Sequence, residues 1–445
     1  MEDTICAIST AVGVGGISII RLSGKNSIEL VNSIFKGKDL TNVDSNTINY
    51  GHIIYNDEII DEVLVSVMRA PKTYTKENIV EINSHGGIAV TNKILEILLT
   101  IGCREAEPGE FTKRAFLNGR IDLAQAESVA DVINAETENA RTMSINNLTG
   151  KLSNIIREVK KDLLSLEANI EVNIDYPEYE DIEDITNEKA IIALEKITNK
   201  FDKLIEESKS GKIIKNGLNV AIIGAPNVGK SSILNALLEE NKAIVTDIEG
   251  TTRDIIEGRI ILKGVMINFI DTAGIRDTED VVEKIGVDKS LEKMDMADLV
   301  ILVLDGSRDI NEDEKELLEK VKSKNHLIFI NKSDLENKLD IDGIHGNTKE
   351  KDGLDALKEA IIKEIESKTN ITKDMTYISN ARQLSLIKKA DNSLKKALQG
   401  LKDNIPVDVI TIDIESAKNN LGEILGENYK EDLLDELFSR FCIGK

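Results

Sequence analysis

The chain has no tryptophan, and aromatic residues make up 3% of it. Proteins that hold single-stranded nucleic acid stack bases on aromatic rings, so a surface of that kind is disfavoured. Positive charge is also short: 56 Lys and Arg stand against 79 Asp and Glu, a formal net charge of −23. This balance argues against a large basic footprint for DNA or RNA. A nucleic-acid substrate would have to take most of its phosphate contacts from a partner. The three cysteines, Cys6, Cys103 and Cys442, are too widely spaced for a zinc motif or a disulfide framework. With no signal peptide and no long apolar run, the expected compartment is the cytoplasm, with no membrane span. What is present is ordinary for a globular protein, 41% hydrophobic and 30% charged residues. At 445 residues the chain is too long for one core, and two or three domains are expected.

The most informative stretch is Gly224-Ala225-Pro226-Asn227-Val228-Gly229-Lys230-Ser231, which fits the phosphate-binding loop pattern G-x-x-x-x-G-K-[ST]. Leu218–Ile223 before it reads as a buried parallel strand, and Ser232–Leu238 after it as a helix. Glycines let backbone N–H groups close around phosphate oxygens, and the helix N-terminus adds positive potential. Lys230 would reach the β- and γ-phosphates, and Ser231 would ligate Mg²⁺. Three further motifs follow in order. Gly250-Thr251-Thr252-Arg253-Asp254 offers a hydroxyl for Mg²⁺. Asp271-Thr272-Ala273-Gly274 follows the strand Val265–Ile270 and offers an outer-shell carboxylate and an N–H for the γ-phosphate. Asn331-Lys332-Ser333-Asp334 follows the strand Leu327–Ile330. The Asp334 carboxylate can accept the N1–H and exocyclic amine of guanine, a pairing adenine lacks. Together these motifs specify a GTPase.

Ile275 occupies the position where signalling GTPases carry a water-orienting Gln, and it cannot hydrogen-bond. Water positioning and charge neutralisation must come from elsewhere: a monovalent cation, or one of the carboxylates Glu279, Asp280 and Glu283.

The other segments read more coarsely. Strands are expected at Thr4–Ile8, Ile17–Leu22, Ile48–Ile54, Glu62–Arg69 and Asn78–Ser84, and a helix at Ile88–Thr100. Glu81 lies between Val80 and Ile82 and so belongs to the opposite face of its strand. Glu110–Arg120 is a dense basic and aromatic segment, and His85 suits a turn or core histidine as well as a ligand. From Asp122 long helices follow, with a seam at Leu148, Leu152, Ile155, Val159, Leu163, Leu166 and Ile170. After the break at Tyr176-Pro177 and the acidic run Glu178–Glu183, a helix is expected over Asn187–Ser208 and a hinge over residues 209–217. Two apolar helical stripes return near the C-terminus. The helices on both sides of the nucleotide domain are therefore expected to form one bundle, with that domain inserted between them. The apolar end Phe438–Lys445 should dock against the protein.

The nucleotide-domain motifs, Pro108-Gly109-Glu110-Phe111-Thr112, Arg114–Asn118 and the terminal Phe441-Cys442-Ile443-Gly444-Lys445 resemble the MnmE (TrmE) family of bacterial tRNA-modification GTPases over the whole chain. The resemblance implies a multidomain protein: an α+β folate-binding and dimerisation domain over 1–119, an all-α helical bundle over 120–215 and 376–445, and an inserted α/β P-loop GTPase domain over 216–375. It implies a homodimer and a flavoprotein partner, MnmG, which contacts most of the tRNA. The pair would attach an aminomethyl or carboxymethylaminomethyl group to carbon 5 of the wobble uridine of certain tRNAs. The one-carbon unit would come from 5-formyl- or methylene-tetrahydrofolate. Arg21, Glu81, Arg120 and Lys445 would contact the folate; the family usually has Lys where Arg120 stands. The GTP contacts would be Asn227, Val228, Gly229, Lys230, Ser231 and Ser232; Thr246, Asp247, Ile248, Glu249, Gly250, Thr251 and Thr252; Asp271, Thr272, Ala273 and Gly274; and Asn331, Lys332 and Asp334. Mg²⁺ would sit at Ser231 and Thr252, and K⁺ at Asn227, Thr246, Ile248 and Thr251. Glu283 would orient water, acting with Lys230 and Thr252 in catalysis. Cys442 is either a nucleophile or a buried terminal thiol beside the folate. Family members carry Ser-Ala-[RK] where this chain has Asn347-Thr348-Lys349. Two other readings stand beside this one: a regulatory or ribosome-assembly GTPase without modification chemistry, and a folate-dependent aminomethyl transferase that lost its partner.

Overall fold

The computed structural model describes residues 3–175, 187–240, 256–270, 294–350, 352–369, 371, 378, 380–429 and 431–444. The chain packs into two compact units. One comprises Met1–Ile133, Asn147–Glu195 and Lys389–Lys445, the other Asn134–Asn146 and Lys196–Lys388.

The first unit is built on a seven-stranded sheet in the order β3-β4-β5-β6-β2-β1-β7. Its strands are β1 (Ile5–Ile8), β2 (Gly15–Ser23), β3 (Phe35–Lys36), β4 (Thr47–Tyr55), β5 (Glu58–Met68), β6 (Ile79–Gly86) and β7 (Arg104–Glu105). All pairings are antiparallel except β1 with β7. The alternation of apolar and polar residues decides which face is covered. Ile20, Leu22, Val63, Val65, Val67, Val80 and Ile82 turn toward the helices Ser27–Ile34 and Ile88–Thr100 and form the core with Cys6 and Cys103. Arg21 and Glu81 lie on the other face, opposite one another in the β2–β6 register.

The helical part of this unit pairs Lys151–Asp175 with Val407–Leu425. The buried seam of the first of these helices is Leu152, Ile156, Val159, Leu163, Leu166 and Ile170. The expected seam placed Leu148 and Ile155 inward; both are only partly buried. Steps of four and three from Leu152 bring Ile156, not Ile155, onto the a/d stripe.

The second unit holds a six-stranded sheet, β13-β12-β11-β8-β10-β9, with β8 (Leu218–Ile223), β9 (Ile256–Leu262), β10 (Val265–Ile270), β11 (Leu299–Asp305), β12 (His326–Asn331) and β13 (Ile344–His345). Every neighbour pair is parallel except β9 with β10. β10 and β11 are buried along their whole length, the near-continuous apolar run of a sheet covered on both faces. The expected hinge at 209–217 is instead helix: Asn187–Asn216 is continuous. Ile214 is buried against Ala140 and Met143, and Ile213 packs on the sheet core. Burying an Ile stabilises by about 1.5–3 kcal/mol, which outweighs the helix penalty of Gly211, about 1 kcal/mol. Among the described residues no helix is long and apolar enough to cross a membrane.

Candidate functional site

The phosphate-binding loop leaves β8, which lies between β11 and β10 at the centre of its sheet, and enters the helix Lys230–Glu240. In an open α/β sheet, ligands bind in the crevice beyond the carboxyl ends of such strands. Val228 is fully buried, and its carbonyl accepts a hydrogen bond from Asn331 Nδ2 at 2.8 Å. The Asn331-Lys332-Ser333-Asp334 motif at the end of β12 is thereby tied directly to the glycine-rich loop. The tie explains Gly229: a Cβ there would stand 2.3 Å from Asn331 Nδ2, and the residue holds φ +100°. Asn331 Oδ1 is buried without a partner among the described residues, a deficit of the kind that a bound ligand relieves. Lys230 Nζ donates to the carbonyls of Gly224 and Ala225 at 2.9 and 2.8 Å, so its ammonium is held along the loop. Asn227, at the loop's exposed tip, adopts φ +63°.

Two ion pairs organise the motif after β12. Lys332 Nζ lies 2.6 Å from Asp305 Oδ2, at the end of β11 and in register with Asn331. Burial pushes the Asp305 carboxyl up, but Lys332 and the hydroxyl and N–H of Ser307 outweigh it and hold the group below the usual carboxylate range. Asp334 Oδ2 lies 2.6 Å from Lys349 Nζ, and this contact holds the Asp334 carboxyl low. Asp305 went unremarked in the sequence, although a carboxylate ending an otherwise apolar strand, Leu299–Leu304, is a readable signal.

The second cluster lies on the open face of the N-terminal sheet. The β2–β6 register makes Arg21 and Glu81 a direct cross-strand pair, and the guanidinium reaches Glu81 Oε1 at 2.8 Å. Arg21 Nη1 also donates to the Gly444 carbonyl at 3.2 Å, and Ser9 Oγ donates to the same oxygen at 3.1 Å. The C-terminal segment is therefore docked onto β1 and β2, as its apolar composition predicts. Its anchor is the helix Glu431–Phe438, whose Leu434 and Phe438 are buried against Ala115, Phe116 and Leu123. The Gly109 N–H donates to the Cys442 carbonyl at 3.3 Å. Cys442 itself is exposed, which overturns the expectation of a buried terminal thiol. Its carbonyl faces the protein's backbone, and its neighbours Phe438 and Phe441 fill the apolar space.

Arg21 lies 6.0 Å from the Tyr74 ring centroid and 5.8 Å from that of Phe111, and Arg120 lies 4.6 Å from Tyr74. Two cations thus share one aromatic ring, an arrangement within cation–π range and suited to anionic carboxylates. The sequence marks Phe111 through its basic and aromatic segment; Tyr74 carries no such signal. Beneath them Arg114 is fully buried among Asp3, Glu77 and Glu110. Burial pushes Glu110 up, but Arg104, the Glu107 N–H and Arg114 overcome it and keep the carboxyl below its ordinary value. His85 is no core histidine: its ring is 67% exposed and pairs with Asp61 at 2.7 Å. Thr246–Thr252, Asp271–Gly274, Glu279, Asp280, Glu283, Glu178–Glu183 and Lys445 lie outside the described residues.

Two family models cover the chain. The GTP-binding protein TrmE N-terminus matches residues 4–120, and the MnmE helical domain matches 123–442. A protein named tRNA modification GTPase MnmE from Streptococcus thermophilus is 51% identical over 100% of this chain and 98% of its own length. The protein of the same name from Bacillus cytotoxicus is 49% identical over 100% and 99%. Among solved structures, the G domain of the T. maritima FeoB iron transporter aligns with 33% of this chain and 97% of that one, at 30% identity and a TM-score of 0.25. Matched end to end by these models and relatives, the chain belongs to the MnmE family.

Proposed function

We propose that this chain hydrolyses GTP and, with the FAD protein MnmG, modifies carbon 5 of the wobble uridine in certain tRNAs. The added group is aminomethyl or carboxymethylaminomethyl, built from a tetrahydrofolate one-carbon unit. The observation that carries the reading is the bond from Asn331 Nδ2 to the Val228 carbonyl, which joins a guanine-specific motif to a phosphate loop in a chain of this family.

In this reading Asp334 accepts the guanine N1–H and amine, Lys230 leaves its loop carbonyls to neutralise the β- and γ-phosphates, and Ser232 and the loop N–H groups hold phosphate oxygens. Ser231 in the first turn of its helix, with Thr252, would hold Mg²⁺, which neutralises phosphate charge. The exposed Asn227 presents a neutral amide suited to a monovalent cation, and with Thr246, Ile248 and Thr251 it would hold K⁺, which would supply the positive charge that an arginine finger otherwise provides. Glu283 orients the attacking water. On the N-terminal sheet, Arg21, Arg120 and Lys445 pair with folate carboxylates and Glu81 binds the pterin edge. The paired guanidiniums over Tyr74 support this assignment. The protein works as a cytoplasmic homodimer, and the acidic chain leaves most tRNA phosphate contacts to its partner. GTP turnover at matched ionic strength tests the cation: it should be faster in K⁺ than in Na⁺, and equal rates would remove K⁺ from the site. Glu283→Ala should lower turnover with little change in nucleotide affinity.

A further inference from the structure

We propose that Lys349 is a competitor for the carboxylate that recognises guanine, and so tunes nucleotide affinity without contacting the base. The proposal rests on the reading of Asp334 as the guanine acceptor. A guanine edge presents two parallel donors and needs both oxygens of that carboxylate. The Lys349 ammonium sits 2.6 Å from one of them, Oδ2. An ammonium there takes up an acceptor position and draws charge from the carboxylate, weakening it toward the neutral N–H donors of a base.

The loop is built to hold Lys349 in that place. Asn347 is buried, and its Oδ1 accepts from the N–H groups of Lys349 and Glu350 at 3.1 and 2.9 Å. Its Nδ2 donates to Ser333 Oγ at 3.0 Å, and Ser333 N–H donates to the Gly346 carbonyl at 3.1 Å. One asparagine therefore clamps the loop that carries Lys349 onto the loop that carries Asp334. A serine hydroxyl is too short to make both sets of bonds. The side chain of Lys349 is 73% exposed and that of Asp334 18%, so the pair can open to solvent at small cost, as a competitor must.

The test is equilibrium titration of the full chain with fluorescent N-methylanthraniloyl GDP, for wild type, K349M and K349R. Losing an exposed ion pair is worth about a two- to five-fold change, and K349M should bind the probe more tightly by that factor. K349R keeps the pair and should bind no more tightly than wild type. Weaker or unchanged binding by K349M would overturn the proposal, because it would make the ammonium a helper or a bystander. D334N separates this from the underlying reading. If Asp334 reads the base, D334N exchanges guanine preference for xanthine, whose 2-oxo group accepts from an amide. Adding K349M to D334N should then leave affinity for the xanthosine probe unchanged, since the ion pair is gone. Retention of guanine preference by D334N would refute the assignment of Asp334, and the proposal with it.

Discussion

Arg114 has no solvent exposure, and Asp3, Glu77 and Glu110 surround it. Removing one partner from a buried ionic cluster leaves uncompensated charge and costs about 3–5 kcal/mol. Arg114→Met should destabilise the N-terminal unit by that amount, read as a lower urea midpoint in a probe of this unit; a loss under 1 kcal/mol, the range of an exposed pair, would contradict it. The Asp61 carboxylate beside His85 raises the imidazole pKa above its ordinary value. Because the folded value is the higher one, the pair contributes fully below the unfolded pKa, about 6.5, and is lost as pH rises through the folded value. Ring NMR should place the His85 midpoint above that of a free histidine, and Asp61→Asn should lower it. Neither feature was legible in the sequence. Arg114 reads only as one cation of a basic and aromatic segment and His85 as a turn or core histidine or a ligand, because burial and cross-strand partners depend on pairings distant in sequence. Glu81 was legible: its place between Val80 and Ile82 assigns it to the face that Arg21 also occupies.

At the scale of elements, the C-terminal helix Glu431–Phe438 anchors a tail whose Gly444 carbonyl closes on Arg21 and Ser9. The close approach is at Gly109, with φ +69°, where a Cβ would stand 2.8 Å from both the Phe438 carbonyl and Phe441 Cβ. Gly109→Ala adds the left-handed penalty of about 1–2 kcal/mol to this collision. It should undock the tail while the sheet stays folded. Hydrogen exchange would read faster exchange over residues 431–444 with the β2 and β6 amides unchanged; unaltered exchange in the tail would refute the account. Strands such as β8 and β10 were legible to the residue, because β-branched runs bounded by glycine or motif residues leave little freedom. The helix through 209–216 was not. Ser210, Gly211 and Lys212 look like a linker, and only the packing of Ile213 and Ile214 makes them helical. Ile156 was missed for a related reason: Ile155 and Ile156 are equivalent by composition, and the partner helix selects one.

For the whole molecule, function was more legible than architecture. Phosphate loop, guanine motif and C-terminal Cys-Ile-Gly-Lys read directly as short strings. The meeting of Gly444 with Arg21, more than 400 residues apart in sequence, required the fold. With 56 basic and 79 acidic residues, a chain acting on tRNA in the proposed way would take most of its electrostatic attraction from a partner. GTP hydrolysis would then be a gate on chemistry at the N-terminal cluster. The most direct test is nucleoside mass spectrometry of tRNA from cells lacking this protein, with and without the chain restored. The 5-substituted wobble uridine should disappear in the deleted cells and return when the chain is restored. Unchanged tRNA in the deleted cells would contradict it and leave a GTPase without modification chemistry.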